Sequence, residues 1–187
     1  VAAAWHAPRI TPLAALLWPL SLLYRGIVAV RRALFRLSVL PSQLLPVPVV
    51  VVGNITVGGV GKTPLTCALA QWLAGRGYRP GVVSRGYGGS ARIARAVGVG
   101  DDPRVVGDEP LLYATLGFPV WIGRDRVAAA RGLLAAHGDC NVILADDGLQ
   151  HYALARTMEI AVIDATRGFG NGLMLPAGPL REPVARL

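Results

Sequence analysis

The stretch that decides the fold is Val47-Pro48-Val49-Val50-Val51-Val52-Gly53-Asn54-Ile55-Thr56-Val57-Gly58-Gly59-Val60-Gly61-Lys62-Thr63. Its opening, Val47 to Gly53, is a continuous β-branched run, the composition of a strand buried on both faces. A glycine-rich loop follows at once, and Lys62 to Leu73 reads as a helix. Strand, glycine loop and helix in that order make a device for holding phosphate. Glycines let backbone N–H groups turn into one concavity. The helix N-terminus adds the positive end of its dipole. Lys62 offers a point charge to terminal phosphates, and the Thr63 hydroxyl offers a ligand to Mg2+. The pattern G-x-x-x-x-G-K-[ST] is met except at its first position, where Thr56 stands for glycine. Thr56, Val57, Gly58, Gly59, Val60, Gly61, Lys62 and Thr63 are therefore the expected ATP loop.

The rest of the chain alternates in the same way. Residues 79–84 read as a strand, 108–116 as a helix, 119–122 as a strand and 125–136 as a helix. Residues 142–145 and 159–164 read as further strands, and 84–100 as a Gly- and Arg-rich loop. Strands alternating with helices predict an α/β fold, a P-loop NTPase-like three-layer domain with a mainly parallel sheet. A length of 187 residues suits one such domain with a short appendage.

Composition narrows the classes. With 53% hydrophobic and 16% charged residues, a disordered chain is excluded. The net charge of +8 is unevenly spread: residues 1–100 carry no Asp or Glu and sum to +11, and residues 101–187 sum to −3. The basic half is where phosphate or an anionic surface would be met. Of the 19 basic residues, Lys62 is the single lysine. A slim ammonium fits inside a closed phosphate cradle, whereas a wider guanidinium does not. The arginines follow an amphipathic helix and phosphate loops rather than a base-reading motif, which argues against a nucleic-acid partner. Cys67 and Cys140 have no metal-type spacing and read as buried thiols.

Residues 12–24 form an apolar run interrupted by Pro19, too short by itself for the roughly 20 residues that span a bilayer. Next, Leu23, Ile27, Val30, Leu34 and Leu37 recur at helical spacing, with Arg25, Arg32 and Arg36 on the opposite face. A basic amphipathic helix beside Trp18 and Tyr24 reads as an interfacial element that meets an anionic membrane surface. The expected organisation is a membrane-associating helical segment over 1–45 and a P-loop domain over 46–187.

Two acidic sites stand out. The strand 142–145 runs into Asp146-Asp147-Gly148-Leu149-Gln150-His151. Two adjacent carboxylates repel unless a cation lies near, so a metal is expected there. Gly107-Asp108-Glu109-Pro110 is the second. Asp108 or Glu109 could orient an acceptor hydroxyl and take its proton, or Asp108 could cap a helix. Arg85 and Arg126 are candidates for stabilising a transferring phosphoryl group. His151 is a candidate proton carrier.

Taken in order, TVGGVGKTP, SRGYGG, GDEP, GRDRVAAAR, DDGLQH and RGFGNG…LPAGPLREP resemble the tetraacyldisaccharide 4'-kinase family, the lipid A 4'-kinases of Gram-negative bacteria. The resemblance implies an enzyme on the cytoplasmic face of the inner membrane, peripheral or monotopic. It implies ATP and Mg2+ as cofactors, a tetraacyldisaccharide 1-phosphate lipid A precursor as acceptor, and no obligate protein partner. Asp108 matches the family's base. Lys62 matches the phosphate lysine. Thr63, Glu109 and the Asp146/Asp147 pair match its metal side, with Asp147 taken as a ligand. Arg85, Arg126, Gln150 and His151 match positions near phosphates or acceptor. Family members are longer and carry a C-terminal domain that supplies an assisting histidine, so this chain corresponds to their N-terminal portion. The competing reading is a nucleotide-dependent switch or regulatory ATPase without a lipid substrate. A guanine-specific N-K-x-D motif would need a second lysine, which the sequence lacks.

Overall fold

The β-branched run forms the strand its composition demands. In the computed structural model, which describes residues 5–6 and 10–187, β1 (Val49–Gly53) lies inside a six-stranded sheet. The other strands are β2 (Pro80–Ser84), β3 (Arg95–Ala96), β4 (Val120–Ile122), β5 (Val142–Asp146) and β6 (Met158–Ala161). Their order is β3-β4-β2-β5-β1-β6. The pairings β1–β5, β2–β5 and β2–β4 are parallel, and the two-residue β3 runs antiparallel to its neighbour β4. β3 falls within the stretch expected to be loop.

The α-helices among the described residues are α1 (Pro12–Arg36), α2 (Lys62–Ala74), α3 (Pro103–Val106), α4 (Asp108–Thr115) and α5 (Arg126–Ala136). The chain divides into two compact units. The larger comprises Ser42–Gly53 and Gly61–Ile160; the smaller comprises Val1–Pro41, Asn54–Val60 and Ala161–Leu187.

In the larger unit, side chains alternate across the sheet with the two-residue period of a strand. On one face Val82, Val120, Val142 and Leu144 pack with Cys67, Ala70 and Leu73 of α2 and with Tyr113 and Ala114 of α4. On the other face, α5 closes tightly. A Cβ at Gly81 would fall 2.5 Å from Leu133, and one at Gly132 would fall 2.2 Å from the Trp121 ring. Helices on both faces give the three layers. Asp125 caps α5, accepting from the amides of Val127 and Ala128. β6 ends at Ala161, short of the expected Asp164. The Asp164 carboxylate takes the amides of Thr166 and Arg167, turning the chain out of the sheet.

In the smaller unit, α1 corrects the sequence reading. The apolar run over 12–24 and the amphipathic helix after it are one continuous helix of 25 residues, about 37 Å long at about 1.5 Å per residue. Thr11 caps it by accepting from the Ala14 amide, Pro12 opens it, and Pro19 is carried inside. By length and composition this helix is long and apolar enough to cross a membrane. Its buried residues are Ala14 and Ser21. Ser21 donates to the Met174 carbonyl at 2.8 Å, and Tyr24 to the Arg181 carbonyl at 3.2 Å. Leu16, Leu20, Leu23, Ile27 and Val30, each more than half exposed, share a different face at helical spacing.

The fit of Trp121 against Gly132 gives a first prediction. Gly132→Ala gains helix propensity but must displace a packed ring, a net loss of about 1–3 kcal/mol. Urea unfolding should register that loss, and adding Trp121→Leu should recover part of it.

Candidate nucleotide-phosphate site

Parallel pairing sets the site's first dimension. The register places Val52 of β1 opposite Asp146 of β5, so both strands end at the same edge. Ligands of open parallel sheets bind beyond the C-terminal strand ends. Beyond β1, the chain passes into the glycine loop. Beyond β5, it turns through Asp147, which adopts a left-handed φ of 49°. An Asp tolerates that conformation at a cost, and such outliers gather at functional sites.

Lys62, the first residue of α2, meets Asp147 with 3.3 Å between Nζ and Oδ1. The lysine side chain is only 11% exposed, so the ammonium is held rather than waving in solvent. Thr63 follows on the first turn of α2. Gly61 caps this helix with φ 83° and brings no side-chain hydrogen bond. The amides at the helix start are therefore not consumed by a capping side chain.

Asp146 is fully buried. Its Oδ2 accepts from the Tyr113 hydroxyl at 2.8 Å, while Oδ1 is buried with no hydrogen-bond partner. Burial pushes its carboxyl up from 3.8 to about 6. The Tyr113 hydrogen bond and Lys62 pull it down, and Glu109 and Asp147 push it further up. A buried carboxylate with an orphaned oxygen, beside a second carboxylate and a helix-start threonine, is a donor set that suits Mg2+. That ion takes one or two carboxylates plus substrate phosphates rather than an all-protein cage.

Arg126 is 3% exposed, with its guanidinium donating to the carbonyls of Gly123 and Asp146. Desolvation lowers its pKa to about 10, against the pull of Asp147 and Asp146. It therefore lies behind the acidic pair as a buried positive charge. Arg85, exposed at the end of β2, opposes Arg126 electrostatically.

The motifs SRGYGG and GDEP are brought together. Gly107 has φ 87°, and a Cβ there would meet the Tyr87 carbonyl at 2.4 Å. Ser90 and Ala91 donate their amides to the carbonyls of Arg104 and Val105. Gly107 is also the cap of α4, with no side-chain hydrogen bond. Asp108 occupies the first helical turn and is exposed, so its carboxylate is not spent as the cap. Glu109, next in the turn, is close enough to raise the Asp146 carboxyl. Gln150 and His151 sit half-buried in the turn after Asp147. Arg156 braces that turn, donating to the carbonyls of Leu149, His151 and Leu154 and pairing with Glu159 at 2.8 Å.

Three residues escaped the sequence reading. Tyr113 was signalled only by its place four residues after Glu109, hence on the same helix face. Arg156 gave no local signal. Asn54 stands at the mouth of the loop, fully buried, with Nδ2 donating to Thr56 Oγ1 at 3.2 Å and the Gly58 carbonyl at 3.4 Å.

Asp146 sets a pH dependence. Its folded pKa lies above its unfolded one, so the folded state binds more protons between them. Stability of the chain without ligand should therefore fall as pH rises from about 4 to 6, by up to about 3 kcal/mol. Urea midpoints across that range should show the slope, and Asp146→Asn should flatten it.

Comparisons with known proteins agree with this geometry. The family model described as LpxK, Tetraacyldisaccharide-1-P 4'-kinase, matches residues 13–187. A tetraacyldisaccharide 4'-kinase from Chromobacterium violaceum is 59% identical over 183 residues, covering 98% of this chain and 54% of that protein. One from Alkalilimnicola ehrlichii is 56% identical over 185 residues, covering 98% and 53%. The chain thus spans about half the length of the curated relatives it matches. The crystal structure described as the "apo" form of LpxK from Aquifex aeolicus in complex with ATP superposes with a TM-score of 0.79 at 35% identity, covering 92% of this chain and 55% of that one. With the match running from α1 to the C-terminal residue, the chain belongs to the tetraacyldisaccharide-1-P 4'-kinase family.

Proposed function

We propose that this chain carries the nucleotide half of a kinase that moves the γ-phosphate of ATP to the 4'-hydroxyl of a tetraacyldisaccharide 1-phosphate. The observation that carries this reading is the Lys62–Asp147 pair beside a buried Asp146 with an unpartnered oxygen. Residues 56–63 form the triphosphate loop, with amides after Val57 and the Lys62 ammonium on its oxygens. Thr63 and Asp147 would hold Mg2+, with Asp146 and Glu109 as the acids beside them, and the ion when bound would neutralise charge on the phosphates.

Asp108 orients the acceptor hydroxyl and takes its proton as the oxygen bonds to the γ-phosphorus and the bond to the ADP oxygen breaks. Its uncommitted carboxylate on the exposed first turn of α4 supports that role. Arg126 opposes the acidic pair from within and holds the end of β5 through the Asp146 carbonyl. Arg85, Gln150 and His151 line the acceptor side. The relatives' names support the ATP-dependent lipid activity, and the ATP-bound neighbour supports the nucleotide.

The apolar stripe of α1 seats the enzyme on the cytoplasmic face of the bacterial inner membrane. Arg25, Arg32 and Arg36, opposite the stripe, reach anionic headgroups, and an acylated substrate resides in the same membrane.

Transfer of radiolabelled γ-phosphate to the lipid acceptor tests the reading. Lys62→Ala should lower turnover by about 10²–10³-fold, and Asp108→Asn by about 10²–10⁴-fold with unchanged thermal stability. Near-normal rates in either variant would remove that residue from its role. In a separate measurement, Leu20→Glu with Ile27→Glu should release the chain from phosphatidylglycerol vesicles in co-sedimentation.

A further inference from the structure

The motif RGFGNG…LPAGPLREP is the one strong sequence feature that the phosphate site leaves unused. Within the smaller unit it builds a strap over residues 171–181. Asn171 staples the turn: Nδ2 donates to the Ala177 carbonyl at 2.9 Å, and Oδ1 accepts from the Leu173 amide at 3.1 Å. A Cβ at Gly178 would lie 2.2 Å from that Oδ1 and 2.2 Å from the Leu173 carbonyl, so only glycine fits. Leu175 donates to the Leu180 carbonyl, and Leu180 back to Leu173. Met174, Ala177 and Leu180 are buried, which fixes the strap as a packed element.

One side of the strap holds the glycine loop. Val57 donates its amide to the Pro179 carbonyl at 2.8 Å, and Arg181 donates to the Ile55 carbonyl at 2.7 Å. Between them, Thr56 and Leu180 form an antiparallel β-bridge. Thr56 is therefore in extended pairing, where a threonine is at home, and this accounts for its place at a motif position usually given to glycine. The Val57 amide is already engaged, which restricts phosphate-binding amides to those after it. The other side of the strap holds α1, through Ser21 on the Met174 carbonyl and Tyr24 on the Arg181 carbonyl.

We propose that the strap 171–181 sets the conformation of the phosphate loop, with Asn171 as its positioning residue. The proposal deepens the nucleotide reading and rests on it. Asn171 touches no nucleotide; it acts through the Pro179 carbonyl and the Arg181 amide. Loosening its turn frees residues 55–57, and ATP then has to order them, which weakens binding.

The test is calorimetric titration of Mg·ATP into the 187-residue chain, with amide exchange read in parallel. Asn171→Ala should raise the Kd about tenfold, a loss of about 1.4 kcal/mol. It should also speed exchange at Ile55–Val57 while β5 amides keep their protection. A general stability defect would move β5 as well. Asn171→Asp keeps the acceptor for Leu173 and should give an intermediate Kd, which serves if the alanine variant fails to fold. Lys62→Ala is the control for the site itself. Wild-type ATP binding that is lost in Lys62→Ala but unchanged in both Asn171 variants overturns the strap's role alone. A wild-type chain that does not bind Mg·ATP overturns the nucleotide reading and the proposal with it.

Discussion

The register of β1 on β5 is the constraint from which the larger unit's chemistry follows. Val52 opposite Asp146 brings the strand that leads into the glycine loop and the strand that ends in two carboxylates to one edge. A one-residue slip would reverse every side chain on β5 and turn Asp146 away from Tyr113. Close packing on both faces resists that slip, since each side chain would have to fill a space shaped for another, as at Gly81 against Leu133. Hydrophobic burial thus fixes the location of a charged site.

That site carries opposing charges in a small buried volume. Asp146 is costly to ionise there, and Arg126 is costly to keep protonated. The two carboxylates lessen the penalty on Arg126, and the Tyr113 hydrogen bond and Lys62 lessen that on Asp146, as a buried ion needs a partner. Lys62 and Asp147 repeat the arrangement nearer the surface. Removing either member of such a set leaves an uncompensated buried charge. The acidic turn is held in turn by Arg156, which ties three backbone carbonyls after Asp147.

The legible parts of the sequence were those with local signatures. The β-branched run, the glycine loop and the alternation that gives a parallel sheet each show within a few residues. DDGLQH and GDEP were readable as acidic turns for the same reason. Tyr113 was not, because its partner Asp146 lies 33 residues away; Asn54, Arg156 and Asn171 were not, because each holds an irregular turn through nearby backbone or side-chain groups, and no periodicity marks such a turn. α1 was divided in the reading because Pro19 and the onset of arginines look like a break. In the fold, the Thr11 cap and Pro12 at the first turn start a helix that continues through both. β6 was overextended because Asp164 turns the chain through its own carboxylate, a competition that strand propensity does not register.

The strap has a consequence for how the chain is made. Ser21 and Met174 are 153 residues apart, and Tyr24 and Arg181 are 157 apart. The glycine loop's own backbone partners lie at Pro179 and Arg181. At about 5–20 residues per second, the ribosome delivers those partners many seconds after the loop itself. During that interval α1 is made while its partners on the strap, the Met174 and Arg181 carbonyls, are not. The glycine loop therefore gains its backbone partners only long after its own residues are made.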